Sequence, residues 1–148
     1  MRVQDVMSDD VRTIQPSASA GDAWEYMRSK AIHHLVVTDG GTIVGVLSDR
    51  DAGGRAGRTV RAGRTVADLM TRTVVTIERT DTVRRAASVM RGRAIGCLPV
   101  TRGRKLVGIV TTADLLELLG RGVDRPTQAD RRTLNYRVPH RRRTRGVW

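Results

Sequence analysis

Hydrophobic and polar residues near the start of the chain follow first the spacing of a strand and then that of a helix. Residues 11–14 alternate apolar and polar side chains before Pro16, which predicts a short strand. Ser17 or Ser19 can then cap a helix, because serine accepts hydrogen bonds from the free N–H groups of a first turn. The helix itself is predicted by apolar residues at i, i+3, i+4 and i+7, which are Ala20, Ala23, Trp24 and Met27.

Two apolar runs after this helix predict a β-hairpin. Residues 32–37 and 43–47 are rich in β-branched residues, and Asp-Gly-Gly at 39–41 supplies the turn between them. After Ser48 a second helix is expected, but three glycines follow within nine residues, and each costs about 1 kcal/mol in a helix interior. We therefore expect residues 52–65 to form a mobile, arginine-containing linker or at best one frayed turn.

The same order of elements returns 63 residues later. Gly-Val-Leu-Ser-Asp-Arg-Asp at 45–51 recurs as Gly-Ile-Val-Thr-Thr-Ala-Asp at 108–114, and the same shift pairs Met7 with Met70 without a gap. Such a period indicates two copies of one β-α-β-β-α unit. Because about 60 residues are marginally stable alone, we expect the copies to share one core. The second copy is predicted to contain strand 74–77, helix 83–90, strands 95–100 and 106–110, and a leucine-rich helix that Gly120 ends.

The positive charge of the chain is concentrated at its C-terminus. The formal net charge is +12, and residues 121–148 contain nine arginines against two aspartates. This segment is also poor in apolar residues, which predicts a flexible tail. An arginine-rich tail of this kind can bind nucleic-acid phosphates without sequence preference.

The cysteine content and the N-terminus indicate a cellular compartment. A single cysteine, Cys97, excludes an intramolecular disulfide and a cysteine-based zinc cluster, which suits a reducing compartment. Aspartates at positions 5, 9 and 10 interrupt any apolar segment of the signal-peptide kind. No apolar run approaches the roughly 18 residues of a membrane-spanning helix. We therefore expect a soluble, cytoplasmic protein that does not contact membranes.

The repeated motifs resemble those of the cystathionine-β-synthase (CBS) domain family. They are Val-x-Asp-Val/Leu-Met at 3–7 and 66–70, Ile-x-x-Leu-Pro/Val-Val at 32–37 and 95–100, and Gly-h-h-Ser/Thr-x-x-Asp (h, apolar) at 45–51 and 108–114. The resemblance covers residues 1–120. It implies an α/β fold in which two pseudo-symmetric units pack sheet to sheet as one Bateman module. The implied boundaries are repeat 1 at 1–60 with linker 52–65, repeat 2 at 61–120 and the tail at 121–148.

The resemblance also implies which residues bind a ligand. Members of the family often bind adenosine compounds between the two copies, with the motif aspartate on the ribose and the motif hydroxyl on the phosphate. Another interpretation of Ser/Thr-x-x-Asp stays open, because this spacing forms a capping box that satisfies free N–H groups of a helical turn. The candidate residues are Asp51 and Asp114 for ribose, and Ser48 and Thr111 for phosphate.

Further candidates make the two copies unequal. His33 and His34 are similar in position to the phosphate contacts of the nucleotide-sensing subunit of AMP-activated kinase, and Arg50 lies two residues after Ser48. The second copy has Gly96-Cys97 at the histidine positions, so we predict one dominant site per chain. Thr13 and Thr76 fall where the family places a polar residue near the nucleotide, although a β-branched residue on a strand explains both equally well.

The sequence favours regulation over catalysis. It contains no His-Glu-x-x-His, no Gly-x-Ser-x-Gly and no lysine-bearing phosphate loop. We therefore predict a non-enzymatic sensor with no required cofactor or metal, which binds AMP, ADP or ATP, with S-adenosylmethionine and NAD ranking below them. A regulated partner protein is then expected. The alternatives are a ligand-free dimerising scaffold and a nucleic-acid-associated protein acting through residues 121–148.

The resemblance and the apolar pattern together predict a homodimer. Family members usually form homodimers. Trp24 and Leu119 also lie on predicted helices and have no evident partner within the chain, as is typical of residues at a protein interface.

Overall fold

Strands and helices follow the predicted order in both copies. The structure, a computed structural model, describes residues 1–72 and 74–121, so all of the predicted tail except Arg121 lies outside the described residues. The elements are a 3-10 helix (Val3–Asp5), β1 (Thr13–Ile14), α1 (Ala20–Lys30), β2 (His34–Asp39), β3 (Thr42–Ser48), α2 (Arg58–Arg61), α3 (Val66–Leu69), β4 (Ile77–Glu78), α4 (Val83–Arg93), β5 (Cys97–Arg102), β6 (Lys105–Thr111) and α5 (Thr112–Arg121).

Each copy builds one three-stranded sheet. The orders are β1-β2-β3 and β4-β5-β6, and in each sheet the first pair of strands is parallel and the hairpin pair antiparallel. Gly40 and Gly41 have φ of 56° and 82°, which residues with a Cβ rarely adopt, so the predicted turn is explained. The predicted α/β fold of two related units is confirmed, although β1 and β4 are two residues long, shorter than the predicted strands.

The buried apolar residues form two clusters, which differs from the single shared core expected from the length. The cluster under the first sheet includes Val66 from α3, and the cluster under the second sheet includes Val3 from the 3-10 helix. Backbone bridges Ser8–Ile109 and Val46–Thr71 attach the same segments to β6 and β3. The opening segment of each copy therefore completes the core of the other copy.

This exchange explains the glycine that begins the repeated Gly-h-h-Ser/Thr-x-x-Asp motif. A Cβ built on Gly45 would lie 2.7 Å from Met70 Sδ and 2.8 Å from the carbonyl oxygen of Thr71. A Cβ on Gly108 would lie equally close to Met7 Sδ and the carbonyl oxygen of Ser8. The methionine of one motif thus packs on the glycine of the other, where a side chain would have no space.

The chain after Ser48 forms one helical turn, as the weak helix signal predicted. The N–H groups of Gly53 and Gly54 donate to the carbonyls of Arg50 and Asp49, and Gly53 has a φ of 85°. This is a Schellman motif, in which a left-handed glycine ends the helix. The following linker contains the single-turn helix α2, so it is more ordered than the frayed turn we expected.

Trp24 has an internal partner, contrary to the sequence-based expectation. Its side chain is 7% exposed, and the guanidinium carbon of Arg61 lies 4.4 Å from the centroid of its ring. A cation over an aromatic face is attracted by the ring quadrupole. Leu116 and Leu119 on α5 are 65% and 74% exposed, so only these leucines still support the predicted interface.

Helix α5 continues through Gly120, which was predicted to end it. One glycine weakens a helix without forbidding it, and the ion pair between Glu117 and Arg121 spans the last turn. Among the described residues no helix is long and apolar enough to cross a bilayer.

Candidate nucleotide-binding cleft

A cleft of about 380 Å³ lies between the two copies. One wall comes from the end of β3 and the turn that follows it, and the opposite wall comes from the segment that leads from α4 into β5. The lining residues are His34, Val46, Ser48, Asp49, Arg50, Asp51, Thr71, Val75, Ala94, Ile95, Gly96, Cys97 and Thr112. Four of the residues predicted from sequence are thus brought together, namely His34, Ser48, Arg50 and Asp51.

Asp51 is held by a reciprocal capping box with Ser48. The Ser48 N–H donates to Asp51 Oδ2 at 3.0 Å, and the Asp51 N–H donates to Ser48 Oγ at 2.9 Å. The Thr71 hydroxyl also approaches Oδ2, at 3.5 Å. Every hydrogen bond from the described residues to this carboxylate therefore ends on Oδ2, which leaves Oδ1 as an acceptor for a ligand.

Asp114 and Thr111 form the same box in the second copy. The Thr111 N–H donates to Asp114 Oδ2 at 2.8 Å, and the Asp114 N–H donates to Thr111 Oγ1 at 3.3 Å. Neither residue lines the cleft around Asp51. The box is consequently a structural feature of both copies, and its presence alone does not identify a ligand site.

The two histidines occupy different environments. His33 is exposed and does not line the cleft, but its Nδ1 lies 2.9 Å from Oδ2 of Asp49, which does. His34 lines the cleft and is half-buried. Burial lowers the pKa of His34, and repulsion from His33 adds to this effect while Asp49 and Asp51 oppose it. His34 is therefore neutral at pH 7, when it can both donate and accept a hydrogen bond.

The wall opposite Asp51 carries no charge. Val75, Ile95 and Gly96 line it together with Cys97, whose thiol pKa is raised to about 12 by burial. A Cβ built on Gly96 would lie 3.8 Å from His34 Nε2, which is van der Waals contact, so Gly96 faces His34 across the cleft and leaves the space between them open. A flat apolar ring fits such a wall, and the polar side of a ligand then faces Ser48 and Asp51.

The remaining predicted residues lie elsewhere. Thr13 is exposed on β1 and pairs with Val36. Thr76 lines an adjoining open groove of about 560 Å³ beside α4, which shares Val75 with the cleft. This groove is lined by Val75 and Val89. The first copy has Arg12 and Tyr26 at the corresponding positions, and a 3.3 Å hydrogen bond joins their side chains.

Sequence analysis missed Thr71, Thr112 and the segment from Ala94 to Cys97 as parts of the cleft. Thr71 directly follows the repeated Val-x-Asp-Leu-Met motif, and this position was the available signal. The other residues reach the cleft only because the second copy packs opposite Asp51, which no local pattern reveals.

Models of the CBS domain match residues 3–52 and 66–121. This chain belongs to the CBS domain family. As a CBS domain pair it is 30% identical over 114 residues to the CBS domain-containing protein YhcV of Bacillus subtilis, covering 76% of this chain and 81% of that protein. A homoserine O-acetyltransferase of Methanocorpusculum labreanum is 35% identical over 119 residues, which are 80% of this chain and 24% of the enzyme. The pair thus spans about a quarter of the length of such relatives.

Solved structures resemble the pair over most of the described residues. The CBS domain pair of protein MJ0100, in complex with 5′-methylthioadenosine and S-adenosyl-L-methionine, has a TM-score of 0.73 and 30% identity, covering 81% of this chain and 96% of that one. The CBS-domain protein ATU1752 from Agrobacterium tumefaciens has a TM-score of 0.72 and 27% identity, covering 80% of this chain and 99% of that one. The prediction of a tandem CBS pair is therefore confirmed.

Proposed function

We propose that this CBS pair is a regulatory module that binds an adenine nucleotide in the cleft beside Asp51. The observation that carries the proposal is the free Oδ1 of Asp51, held at the cleft by its capping box with Ser48. A fixed carboxylate oxygen suits the vicinal hydroxyls of ribose, because bonds to a charged acceptor are stronger than neutral ones. The uncharged wall containing Val75 and Ile95 suits the adenine ring.

The charges of the cleft favour a ligand with few phosphates. Arg50 is the one guanidinium in the lining, it is exposed, and no described residue forms an ion pair with it. One cation together with the neutral His34 compensates a single phosphate better than three, since each buried charge needs its own partners. AMP is therefore the ligand that we place first, ahead of ADP and ATP.

A second ligand class is favoured by the carboxylates. Asp49 and Asp51 both line the cleft, and they would attract a positively charged sulfonium group. S-Adenosyl-L-methionine carries such a group, and it is bound by the CBS pair of protein MJ0100. Both classes contain adenosine. A nucleotide would bring a negatively charged phosphate close to Arg50, whereas S-adenosylmethionine would bring a positively charged sulfonium group.

Calorimetric titration with AMP, ADP, ATP, NAD and S-adenosylmethionine tests the proposal, using the wild-type chain, Asp51→Asn and Arg50→Gln. We expect AMP to bind, Asp51→Asn to weaken every adenosine ligand, and Arg50→Gln to weaken the phosphate-bearing ligands without weakening S-adenosylmethionine. Tighter S-adenosylmethionine binding by Arg50→Gln, with no AMP binding by wild type, would assign the second ligand class. No binding of any of the five to wild type would reject the sensor in favour of a ligand-free scaffold.

We also propose that the regulatory module is a homodimer formed through α5. Leu116 and Leu119 are its most exposed leucines, and exposed leucines on one helix favour association. Light scattering on the wild type and on Leu116→Glu/Leu119→Glu tests this. A concentration-independent mass near 16.3 kDa for the wild type would exclude the dimer.

A further inference from the structure

Arg61 forms contacts with the turn that carries Asp51, although it lies in the linker. Its Nη1 donates to the carbonyl of Ala52 at 2.8 Å and to the carbonyl of Gly54 at 2.6 Å. Ala52 immediately follows Asp51 and is fully buried. The guanidinium is therefore bonded to the backbone next to the cleft, in a part-buried position where such bonds are strongest.

The same guanidinium is fixed on its other side by Trp24. The guanidinium carbon of Arg61 lies 4.4 Å from the ring centroid, whereas that of Arg28 lies 6.0 Å away. Trp24 belongs to the first core cluster, so α1 provides a rigid platform for Arg61. Arg61 is thus held between a buried ring and two carbonyls, and its own position is well determined.

Two glycines allow the linker to fold back far enough for this contact. A Cβ on Gly57 would lie 2.4 Å from Gly53 Cα, so these two backbones touch where any side chain would be excluded. The N–H of Gly57 also donates to the carbonyl of Gly54 at 3.1 Å. The glycines that weaken the helix after Ser48 therefore make room for a compact loop that returns Arg61 to the turn.

The second copy needs no such contact, since Asp114 lies on α5, which extends for ten residues. The first copy has one helical turn after Ser48, ended at Gly53. Without further support a single turn is unstable, because helix formation has a costly nucleus. Arg61 provides support at the place where the second copy has additional helical turns.

We propose that Arg61 is a positioning residue for the cleft, which holds the Asp51 turn in its ligand-binding conformation through the carbonyls of Ala52 and Gly54. This role rests on the proposed function, because it acts through Asp51 on the bound nucleotide. Arg61 does not line the cleft, so it would act without contacting the ligand. Its effect is preorganisation, since a turn that is already ordered loses less entropy when the ligand binds.

The test compares Arg61→Ala, Arg61→Lys and the matched control Arg58→Ala. Arg58 lies on the same short helix, is exposed and makes no side-chain hydrogen bond or ion pair with a described residue. AMP titrations are run at a temperature where circular dichroism shows each variant folded. We expect Arg61→Ala to weaken AMP about fivefold to twentyfold, Arg61→Lys to recover part of that loss and Arg58→Ala to bind as the wild type does.

Hydrogen exchange supplies a readout at the turn itself. We expect the amides of Ala52, Gly53 and Gly54 to exchange faster in Arg61→Ala, and AMP to restore part of their protection. A residue that only stabilises the fold would lower the melting temperature and leave the AMP affinity of the folded protein unchanged. That result would overturn the positioning role. Should Arg61→Ala fail to fold, Arg61→Gln, which keeps one donor group, provides the same comparison.

The outcomes separate this role from the proposed function. If the wild-type chain binds none of the adenosine ligands, the proposed function fails and the positioning role fails with it. If the wild type binds AMP and Arg61→Ala binds it equally well, only the positioning role fails. Weaker binding by Arg61→Ala and by Arg58→Ala alike would indicate general electrostatic attraction, and it would also overturn the positioning role.

Discussion

The two copies form the same Ser/Thr-x-x-Asp box and continue from it differently. After Asp114 the chain runs on as the helix α5, whereas after Asp51 it makes one turn that ends at Gly53. In the first copy Arg61 and Trp24 hold the returning linker against that turn. The comparison shows that the box needs only one turn of helix, because both of its hydrogen bonds lie within four residues.

A second difference concerns the side chains around the box. His34 and Arg50 of the first copy correspond to Cys97 and Ala113 of the second. Cys97 lines the cleft beside Asp51, on the wall opposite His34. Because the second copy has Cys97 where the first has His34, it contributes an uncharged residue to the wall of the first copy's site. Divergence between repeats can build one asymmetric site from two equivalent halves.

The largest expected effect comes from removing the ring that only the first copy has. Trp24→Ala should destabilise the fold by about 3–4 kcal/mol, because it leaves a cavity in the first cluster and frees Arg61. Urea unfolding measures this loss. Arg28→Ala on the same helix is the control and should change stability by less than about 0.5 kcal/mol. Equal effects of the two substitutions would contradict the buried stacking of Arg61 on Trp24.

The next prediction concerns a feature that the two copies share. Gly45→Ala and Gly108→Ala should each cost about 2–3 kcal/mol, because the new methyl group would meet a carbonyl oxygen at 2.8 Å in both copies. The control Gly92→Ala lies in α4 with open space around it and should stabilise the protein by about 0.5–1 kcal/mol. If one of the two substitutions proved neutral, the exchange of opening segments would not be equivalent in the two copies.

Local sequence signals predicted the elements, and distant contacts limited the prediction of the site. The apolar stripe of α1, its cap at Ser19 and the turn at Gly40 all depend on neighbouring residues, so they could be recognised directly. The docking of Val3 on the second sheet depends on residues far along the chain. The stacking of Arg61 on Trp24 is equally non-local, which is why the linker was expected to be mobile.

The candidate site follows the same rule. The shared motif identified Ser48 and Asp51, since their hydrogen bonds are local. The pair His33-His34 was treated as one contact, but only His34, the first residue of β2, lines the cleft, whereas His33 precedes the strand and is exposed. Thr71 enters the site because the opening segment of the second copy pairs with β3, and this pairing is not evident from hydrophobic periodicity.

The third prediction tests whether the two boxes differ in use. Asp51→Asn keeps an oxygen acceptor for the Ser48 N–H and removes the charge that ribose would meet, so AMP should bind about tenfold to a hundredfold more weakly. Asp114→Asn is the matched control, because it changes the same box outside the cleft. It should leave AMP affinity within about twofold of wild type. An equal loss in both variants would show that both copies bind nucleotide.

The smallest expected effect is a pH dependence from His34, whose counterpart in the second copy is Cys97. Its pKa is lowered in the fold, chiefly by burial, with His33 lowering it and Asp49 and Asp51 raising it. The unfolded chain therefore binds more protons as pH falls below the ordinary value near 6.5. The ligand-free protein should lose stability as pH falls through that value, and the loss should level off below the folded pKa.

Binding of AMP should respond to acid in the opposite sense. A protonated His34 offers a second donor and a positive charge to the phosphate, so affinity should rise between pH 8 and pH 5.5, by less than about tenfold. The phosphate itself titrates near pH 6, so the wild type must be compared with His34→Asn, which lacks the imidazole that lines the cleft while the ligand still titrates. His33→Asn serves as the matched control, because His33 neighbours His34 and does not itself line the cleft. Calorimetry at the two pH values should give a smaller ratio of affinities for His34→Asn than for the other two proteins. Identical ratios in all three proteins would show that His34 does not contact the phosphate, and the comparison between the copies would then rest on Arg50 and Asp51.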